Sequence, residues 1–263
     1  MTATLFVNPR SGGGKALKAG LVEQARKRGL EVAVVEPDKP LASLVEDAVA
    51  RGAETLGVAG GDGSLGVVAS AALAHGLAFV CIPAGTRNHF ALDLGIDRND
   101  PVAALDAFDG VERLVDVAAV NGRLFLNNVS IGVYGEAVRR SGYRGAKART
   151  LLETVLGPSG SARGVELVDD RDQPHRDPAV VLVSNNPYSL EPPRPPGTRA
   201  ALDSGKLGIA VFDPPSAVRA WVAPSLQVSA SAPVHAGIDG EAVTLESPLL
   251  FEIRPRALRV LVP

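Results

Sequence analysis

The chain has few of the residues that would place it among disulfide-stabilised or zinc-binding proteins. Only one of its 263 residues, Cys81, is a cysteine, so no disulfide can form within the chain. Cys81 lies in an apolar run, where a buried and unreactive thiol is expected. The four histidines are scattered, and together with a single cysteine they do not offer a zinc site.

Long apolar runs and an excess of positive charge are also missing. The apolar stretches, such as 77–83, are far shorter than the ~20 residues of a membrane-spanning helix. The formal net charge is -2, which argues against nucleic acid as a partner. The first residues lead directly into a strand-like segment, so we expect no signal peptide and predict a cytoplasmic protein.

The first half of the sequence alternates between strand and helix patterns. Strands are predicted at 5–8, 31–35, 56–59 and 77–82, and helices at 15–28, 41–50, 65–74, 88–94 and 101–108. This rhythm is typical of a parallel sheet that is covered on both faces. In such sheets ligands bind beyond the C-terminal ends of the strands.

After residue 112 the pattern changes to short strands. Further strands are predicted at 115–120, 123–129, 165–169, 179–184, 206–212, 227–231 and 249–253, with a helix at 145–156 and a proline-rich loop at 187–196. Asn121-Gly122 favours a hairpin between the first two of these strands. We therefore predict domains at 1–112 and 113–263, the second an antiparallel sandwich or open barrel. The last predicted strand, 257–262, could belong to either domain.

The most informative segment is Gly-Gly-Asp-Gly-Ser at 60–64, between a predicted strand and a predicted helix. Its glycines let the backbone approach a bulky group at a helix N-terminus, a geometry that suits phosphate. Asp62 would then reach a metal ion or a hydroxyl beside the phosphate. Because a plain strand-to-helix turn also uses glycine, the motif alone leaves both interpretations open.

Two further segments follow predicted strands. At 8–15 the sequence is Asn-Pro-Arg-Ser-Gly-Gly-Gly-Lys, whose N–H groups and Lys15 ammonium could surround phosphate oxygens, with a flexible turn as the alternative. It is not a Walker A loop, because Ala16 stands where that loop has Ser or Thr. At 83–88 a proline turn leads to Thr86 and Asn88, either of which could cap the next helix.

Carboxylates in the second half are the remaining candidates. At 238–241 the sequence is Ile-Asp-Gly-Glu. In an extended chain Asp239 and Glu241 would share one face, where one could hold Mg²⁺ and the other accept a proton. An Asp-Gly hairpin turn with a solvated glutamate is the alternative. Asp203 could hold a cation or lie in a plain turn.

Taken together, the segments at 8–15, 60–64, 83–95 and 238–241 resemble the motifs of the diacylglycerol kinase catalytic family, which includes sphingosine kinases and bacterial lipid kinases. The resemblance implies an N-terminal three-layer α/β domain like those of NAD kinases and phosphofructokinases. It also implies a C-terminal β-sandwich-like domain, with the active site in the cleft between the two. The implied activity is ATP- and Mg²⁺-dependent phosphorylation of a lipid hydroxyl, by default that of diacylglycerol, at the inner membrane surface. The protein could also form a homodimer.

The resemblance also assigns roles to individual residues. The nucleotide contacts that it implies are Asn8, Ser11, Gly12, Lys15, Gly61, Gly63, Thr86 and Glu241. Asp62 would serve the ATP–Mg²⁺ complex or orient the acceptor hydroxyl, and Asp239 is the leading candidate for the base. Asp62, Glu241 and Asp203 are the metal candidates.

The chain departs from the family pattern at several positions. Arg87 stands where many members have glycine, and the segment 202–208 lacks acids that hold a structural Mg²⁺ in some bacterial members. The region around 143–160 is shorter than usual. Two alternatives therefore stay open: a kinase for a soluble acceptor such as NAD, although the Asn-Glu pair of NAD kinases is missing, and a nucleotide-binding regulator without catalysis.

Overall fold

A computed structural model describes residues 2–132, 162, 164–189, 198–212 and 218–263. The chain forms two compact units, one of residues 1–116 with 256–263 and the other of residues 117–255. The predicted helix at 145–156, the region 143–160 and most of the proline-rich loop lie outside the described residues. Within the described part, no helix has both the length and the apolar character needed to cross a membrane.

The first unit is a parallel sheet with helices along it. Its strands β1 (Ala3–Val7), β2 (Glu31–Val34), β3 (Thr55–Gly60) and β4 (Ala78–Pro83) lie in the order β2-β1-β3-β4. The helices are α1 (Lys15–Lys18), α2 (Leu21–Lys27), α3 (Leu41–Ala50), α4 (Asp62–His75) and α5 (His89–Asp93), followed by a 3-10 helix at Ala103–Asp109. Every residue of β3 and β4 is buried, as a sheet covered on both faces requires. The predicted α/β architecture is confirmed.

Residues 15–28, predicted as one helix, form two. Gly20 separates α1 from α2 with a φ of 65°, in the left-handed region that favours glycine. Leu21 of α2 is buried, whereas Leu17 of α1 is 49% exposed. The prediction of a single helix is wrong because the apolar spacing continues across a point where the backbone turns.

The end of the chain belongs to the sheet of the first unit. β16 (Leu249–Val262) is one strand where two were predicted, and its last residues pair in parallel with β4, with Val260 opposite Phe79. The buried Asp116 accepts the N–H of Arg256 at 2.7 Å, at the residue where the chain enters this unit.

The second unit consists of antiparallel strands in its described part. They are β5 (Val111–Val120, shared with the first unit), β6 (Arg123–Phe125), β7 (Asn128–Gly132), β8 (Val165–Val168), β9 (Pro174–Arg176), β10 (Val180–Asn185), β11 (Leu207–Phe212), β12 (Arg219–Ala223), β13 (Ser225–Ala230), β14 (Val234–Ile238) and β15 (Glu241–Leu245). One sheet has the order β12-β11-β10-β7-β14-β15, and β13 pairs with both β8 and the first part of β16. One core cluster contains residues of both layers, including Val183 and Phe251. The predicted β-rich fold is confirmed, and its form is a sandwich.

Asp169, at the end of β8, is a buried carboxylate of the second unit. Burial by itself raises its pKa. The N–H groups of Gln173 and Arg171, together with the side chains of Arg219 and His175, outweigh burial and hold the pKa of Asp169 well below its usual range. Arg219 Nε donates to the carboxylate at 3.0 Å.

A depressed pKa in the folded state makes the contribution of Asp169 to stability dependent on pH. That contribution is present above the unfolded-state pKa of about 4 and is lost as the pH falls toward the lower folded-state value. We expect Asp169→Asn to lower the Tm at pH 7, with the difference from wild type shrinking below pH ~4. Thermal unfolding between pH 7 and 3, with the exposed Asp172→Asn as control, measures this difference. A difference that stays constant with pH would contradict the prediction.

Candidate active site

Three loops of the first unit meet at the C-terminal ends of β1, β3 and β4. The side-chain N–H of Asn8 donates to Ser64 Oγ at 3.1 Å, which joins the first loop to the second. Ser11 Oγ accepts the backbone N–H of Gly61 at 3.1 Å. Residues that are about fifty positions apart in the sequence therefore share one small polar surface, as the strand-end argument predicted.

The third loop, at 83–88, is packed against the other two through glycine. A Cβ on Gly12, where φ is 55°, would lie 2.5 Å from the carbonyl oxygen of Ala84. A Cβ on Gly85 would lie 2.5 Å from the Cα of Gly61. Real Cβ atoms do not approach other atoms so closely, so these two positions accept only glycine without a shift of the backbone.

Lys15 follows three glycines that all have left-handed φ values, of 55°, 69° and 83°. Only glycine adopts such a run without strain, which explains the sequence of this loop. The Lys15 ammonium donates to the backbone carbonyl of Arg98, so it is held against the chain itself. The role of Lys15 in binding phosphate stays a prediction.

Asp62 is the first residue of α4, so this helix begins three residues before its predicted start at 65. Gly61 is the N-cap, Gly63 is the second helical residue, and no side chain caps this end. The first N–H groups of a helix have no partner within it, which makes this terminus favourable for anions.

The carboxylate of Asp62 also acts on Cys81. Burial, and secondarily the negative charge of Asp62, raises the pKa of the Cys81 thiol far above its usual range. Cys81 is a free, fully buried cysteine, so its predicted burial is confirmed.

Asn88 is the residue whose role the sequence did not predict. It is only 2% exposed and has a φ of 54°. Its side-chain oxygen accepts the N–H of Gly85 and its amide N–H donates to the Gly85 carbonyl, both at 2.8 Å. Neither Thr86, which is exposed, nor Asn88 caps α5 through its side chain, so the predicted cap is wrong.

Gly85→Ala is expected to disrupt this loop assembly. The added methyl group would meet the Cα of Gly61 and the side chain of Asn88, so the loops must move apart. We expect a loss of about 2 kcal/mol in the free energy of unfolding. Urea unfolding measures it, with Gly66→Ala in α4 as the control, because a Cβ there meets nothing within 4 Å. Equal stability of the two variants would show that the close approach is not needed.

In the second unit, Asp239 and Gly240 form the two-residue turn between β14 and β15. Their φ values are 48° and 87°, and Ile238 pairs with Glu241 across the hairpin. Two positive φ values are typical of a type I′ turn. The structure therefore has the hairpin turn, which was one of the two alternatives from the sequence. The prediction of an extended chain at 239–241 is wrong.

The carboxylate of Asp239 is held by three backbone N–H groups. Leu126 donates to Oδ2 at 2.8 Å, and Asn127 and Asn128 donate to Oδ1 at 2.8 and 3.0 Å. The N–H of Asp239 in turn donates to the carbonyl of Asn128 at 2.9 Å. These bonds fix the orientation of the carboxylate on the turn at 126–128.

The other carboxylate candidates lie on the surface. Glu241 is exposed and lies 3.8 Å from Arg123 Nη2. Asp203 is exposed in the turn before β11. Among the described residues no three His, Cys, Asp or Glu side chains gather in a group that could hold a metal ion by themselves. Metal ligation by Glu241 and Asp203 stays a prediction.

Residues 2–120 match the family model described as diacylglycerol kinase catalytic domain. A Pseudomonas aeruginosa protein named "Probable lipid kinase YegS-like" is 37% identical over 58% of this chain and 49% of its own length. A Mycobacterium tuberculosis protein named "Diacylglycerol kinase" is 36% identical over 44% of this chain and 40% of its own length. In both alignments this chain spans about half, or less, of the relative.

The fold comparison extends over the whole chain. A crystal structure of a diacylglycerol kinase from Bacillus anthracis str. Sterne superposes with a TM-score of 0.75 at 22% identity, covering 100% of this chain and 97% of the other. At this identity the superposition establishes the fold alone. Residues 2–120 therefore resemble a diacylglycerol kinase catalytic domain in sequence, and the chain shares the fold of the Bacillus anthracis protein.

Proposed function

We propose that this chain is a lipid kinase that transfers the γ-phosphoryl group of ATP to a lipid hydroxyl, with diacylglycerol as the leading acceptor and phosphatidic acid as the product. The names of the relatives support the class of acceptor. The observation that carries the proposal is the assembly of three loops around the N-terminus of α4. It combines anion-binding N–H groups with a carboxylate, Asp62, which is the combination that a nucleotide–metal complex needs.

The proposed nucleotide contacts are those loops. They are Asn8, Ser11 and Gly12 on the first loop, Gly61 and Gly63 on the second, and Thr86 on the third. Glycine at these positions lets backbone N–H groups approach phosphate oxygens closely. The exposed Thr86 hydroxyl and the Lys15 ammonium would bind phosphate from the side chains.

A divalent metal ion would need ligands from the nucleotide in addition to those that the protein offers. Mg²⁺ is commonly held by one or two carboxylates together with substrate phosphates and water. Asp62 offers one carboxylate beside the N-terminus of α4. Glu241, in the second unit, is a separate metal candidate that rests on the family resemblance. When bound, the metal would neutralise charge on the phosphate oxygens.

Asp239 is proposed to orient the acceptor hydroxyl. The hydroxyl oxygen forms a bond to the γ-phosphorus while the bond from that phosphorus to the leaving oxygen of ADP breaks, and the hydroxyl proton passes to the carboxylate. Phosphoryl transfer depends mainly on positioning and charge, so a rigidly held anion suits the task better than a mobile one. The three N–H bonds to Asp239 supply that rigidity. Asp62 is the second candidate for this role.

The lipid acceptor requires the protein to reach a bilayer. We propose a cytoplasmic protein that binds the inner membrane surface as a peripheral protein. A pelleting assay with vesicles of stated charge tests this part of the proposal separately from catalysis.

The activity is tested by transfer of radiolabelled γ-phosphate from ATP–Mg²⁺ to a mixed lipid extract in detergent micelles, with Asp62→Ala as the control. A labelled lipid that is absent with the variant is the expected result, and its identity names the acceptor. A lack of labelled lipid, with nucleotide binding intact, would overturn the lipid kinase proposal. In a parallel assay with NAD in place of the lipid extract, label in NAD would favour a soluble acceptor. Nucleotide binding without transfer in either assay would favour a regulator.

A further inference from the structure

The second unit contains a buried cation, Arg199, that no sequence motif singled out. It is 4% exposed. Its guanidinium donates to oxygens of Leu126, Asn127 and Asn185. Nη1 donates to the carbonyl of Leu126 at 2.5 Å and to that of Asn185 at 2.8 Å. Nη2 donates to the side-chain oxygen of Asn127 at 3.1 Å. Two of these three acceptors belong to the turn at 126–128.

The same turn is bound from the other side by Asp239. The peptide group that joins Leu126 to Asn127 accepts from Arg199 at its oxygen and donates to the Asp239 carboxylate at its N–H. A cation at the oxygen and an anion at the N–H polarise the peptide in the same sense, so each hydrogen bond strengthens the other.

Asn185 continues this pattern along the turn. Its side-chain N–H donates to the carbonyl of Leu126 at 3.2 Å, and its backbone N–H donates to the carbonyl of Asn127 at 2.9 Å. The next peptide, between Asn127 and Asn128, thus also has a donor at its oxygen and Asp239 at its N–H. Arg199 and Asn185 fix the carbonyl side of the turn, and Asp239 occupies its N–H side.

We propose that Arg199 is a positioning residue for Asp239. It acts through the peptide groups at 126–128, and the proposal rests on the proposed function of Asp239 in orienting the acceptor hydroxyl. A shift of the turn by a fraction of an ångström would move the three N–H groups and the carboxylate that they hold. Misplacement of a reacting group by about 1 Å can lower a rate roughly 100-fold.

The variant that tests this is Arg199→Gln, with Arg199→Lys beside it. Glutamine removes both the positive charge and the planar guanidinium group with its several N–H donors. Lysine keeps the charge but lacks the planar arrangement of donors. Arg254→Gln is the control, because Arg254 is an exposed arginine of the same unit that pairs with Glu252. We expect kcat for lipid phosphorylation to fall roughly 10- to 100-fold in Arg199→Gln, and less in Arg199→Lys, with the KM for ATP unchanged.

Amide hydrogen exchange provides a readout that does not depend on activity. In Arg199→Gln the N–H groups of Leu126, Asn127 and Asn128 should exchange about tenfold faster than in wild type, while the exchange pattern of Arg254→Gln stays that of wild type. Faster exchange with an unchanged kcat would make Arg199 a structural residue only and overturn the proposal. Unchanged exchange would overturn the coupling through the turn. A wild-type protein that phosphorylates no lipid would overturn the proposed function and, with it, any positioning role, whereas the exchange data would still report on the turn.

Discussion

Asp62→Ala is expected to lower phosphoryl transfer at least ~1,000-fold while the protein stays folded. Asp62 is the first residue of α4, where a carboxylate lies beside the outward-facing N–H groups. Its proposed tasks, to hold the metal–nucleotide complex or to orient the acceptor, both depend on charge that alanine lacks. Because Asp62 is only partly buried at a helix end, the loss of packing is small.

Steady-state phosphorylation of the lipid identified in the labelling experiment measures the effect of Asp62→Ala. Asp38→Ala is the control, because Asp38 is an exposed carboxylate of the same unit that lies in the segment before α3. Circular dichroism should show equal Tm values for both variants. Activity within tenfold of wild type in a folded Asp62→Ala protein would remove Asp62 from the proposed mechanism.

Asp239→Asn is expected to lower kcat about 100-fold with nucleotide binding preserved. The asparagine side chain has one carbonyl oxygen and an NH₂ group, so it cannot accept all three N–H bonds of the turn at 126–128. The substitution therefore removes the anion that would accept the hydroxyl proton and also loosens the turn that holds it.

A control variant shows what the same Asp→Asn change does at a positive-φ position away from the turn at 126–128. Asp177 also has a positive φ, of 50°, and accepts a backbone N–H, that of Gly164 at 2.5 Å. Because asparagine keeps one carbonyl oxygen, Asp177→Asn should retain this single bond and leave kcat unchanged. Loss of ATP binding in Asp239→Asn, measured by calorimetry, would instead assign Asp239 to the nucleotide or metal site. An equal loss of kcat in both variants would assign the effect to the fold.

The position of the three first-unit loops at one edge of the sheet could be predicted from the sequence because its determinants are local. Each of the three loops follows a buried parallel strand, and strand ends of the same direction lie at the same edge of a sheet. The glycines at 12 and 85 are needed because their neighbours leave no room for a Cβ. Strand alternation and glycine positions were sufficient to predict that 8–15, 60–64 and 83–88 converge.

The second-unit arrangement could not be predicted in the same way. The contacts of Arg199 and Asp239 with the turn at 126–128 join residues more than 70 and more than 110 positions apart. Neither the residue types nor their spacing indicates such pairs, since an arginine in a polar loop is usually solvated. The division of the predicted helix 15–28 at Gly20 was missed for a related reason. The spacing of apolar residues carries no information on the φ of a single glycine.

By itself the sequence determined the α/β and β-rich halves, the strand-end position of the phosphate-binding candidates and the family that their order resembles. These properties follow from periodicity and from glycine chemistry, which act over a few residues. Only the tertiary structure decided that the last strand pairs with β4, that Asp239 lies in a hairpin turn, and that Arg199 and Asp239 bind one turn from opposite sides. The pairing of the last strand and the contacts of Arg199 and Asp239 depend on groups that folding alone brings together, and no local pattern encodes them. The Asp-Gly dipeptide offered the hairpin turn only as one of two alternatives.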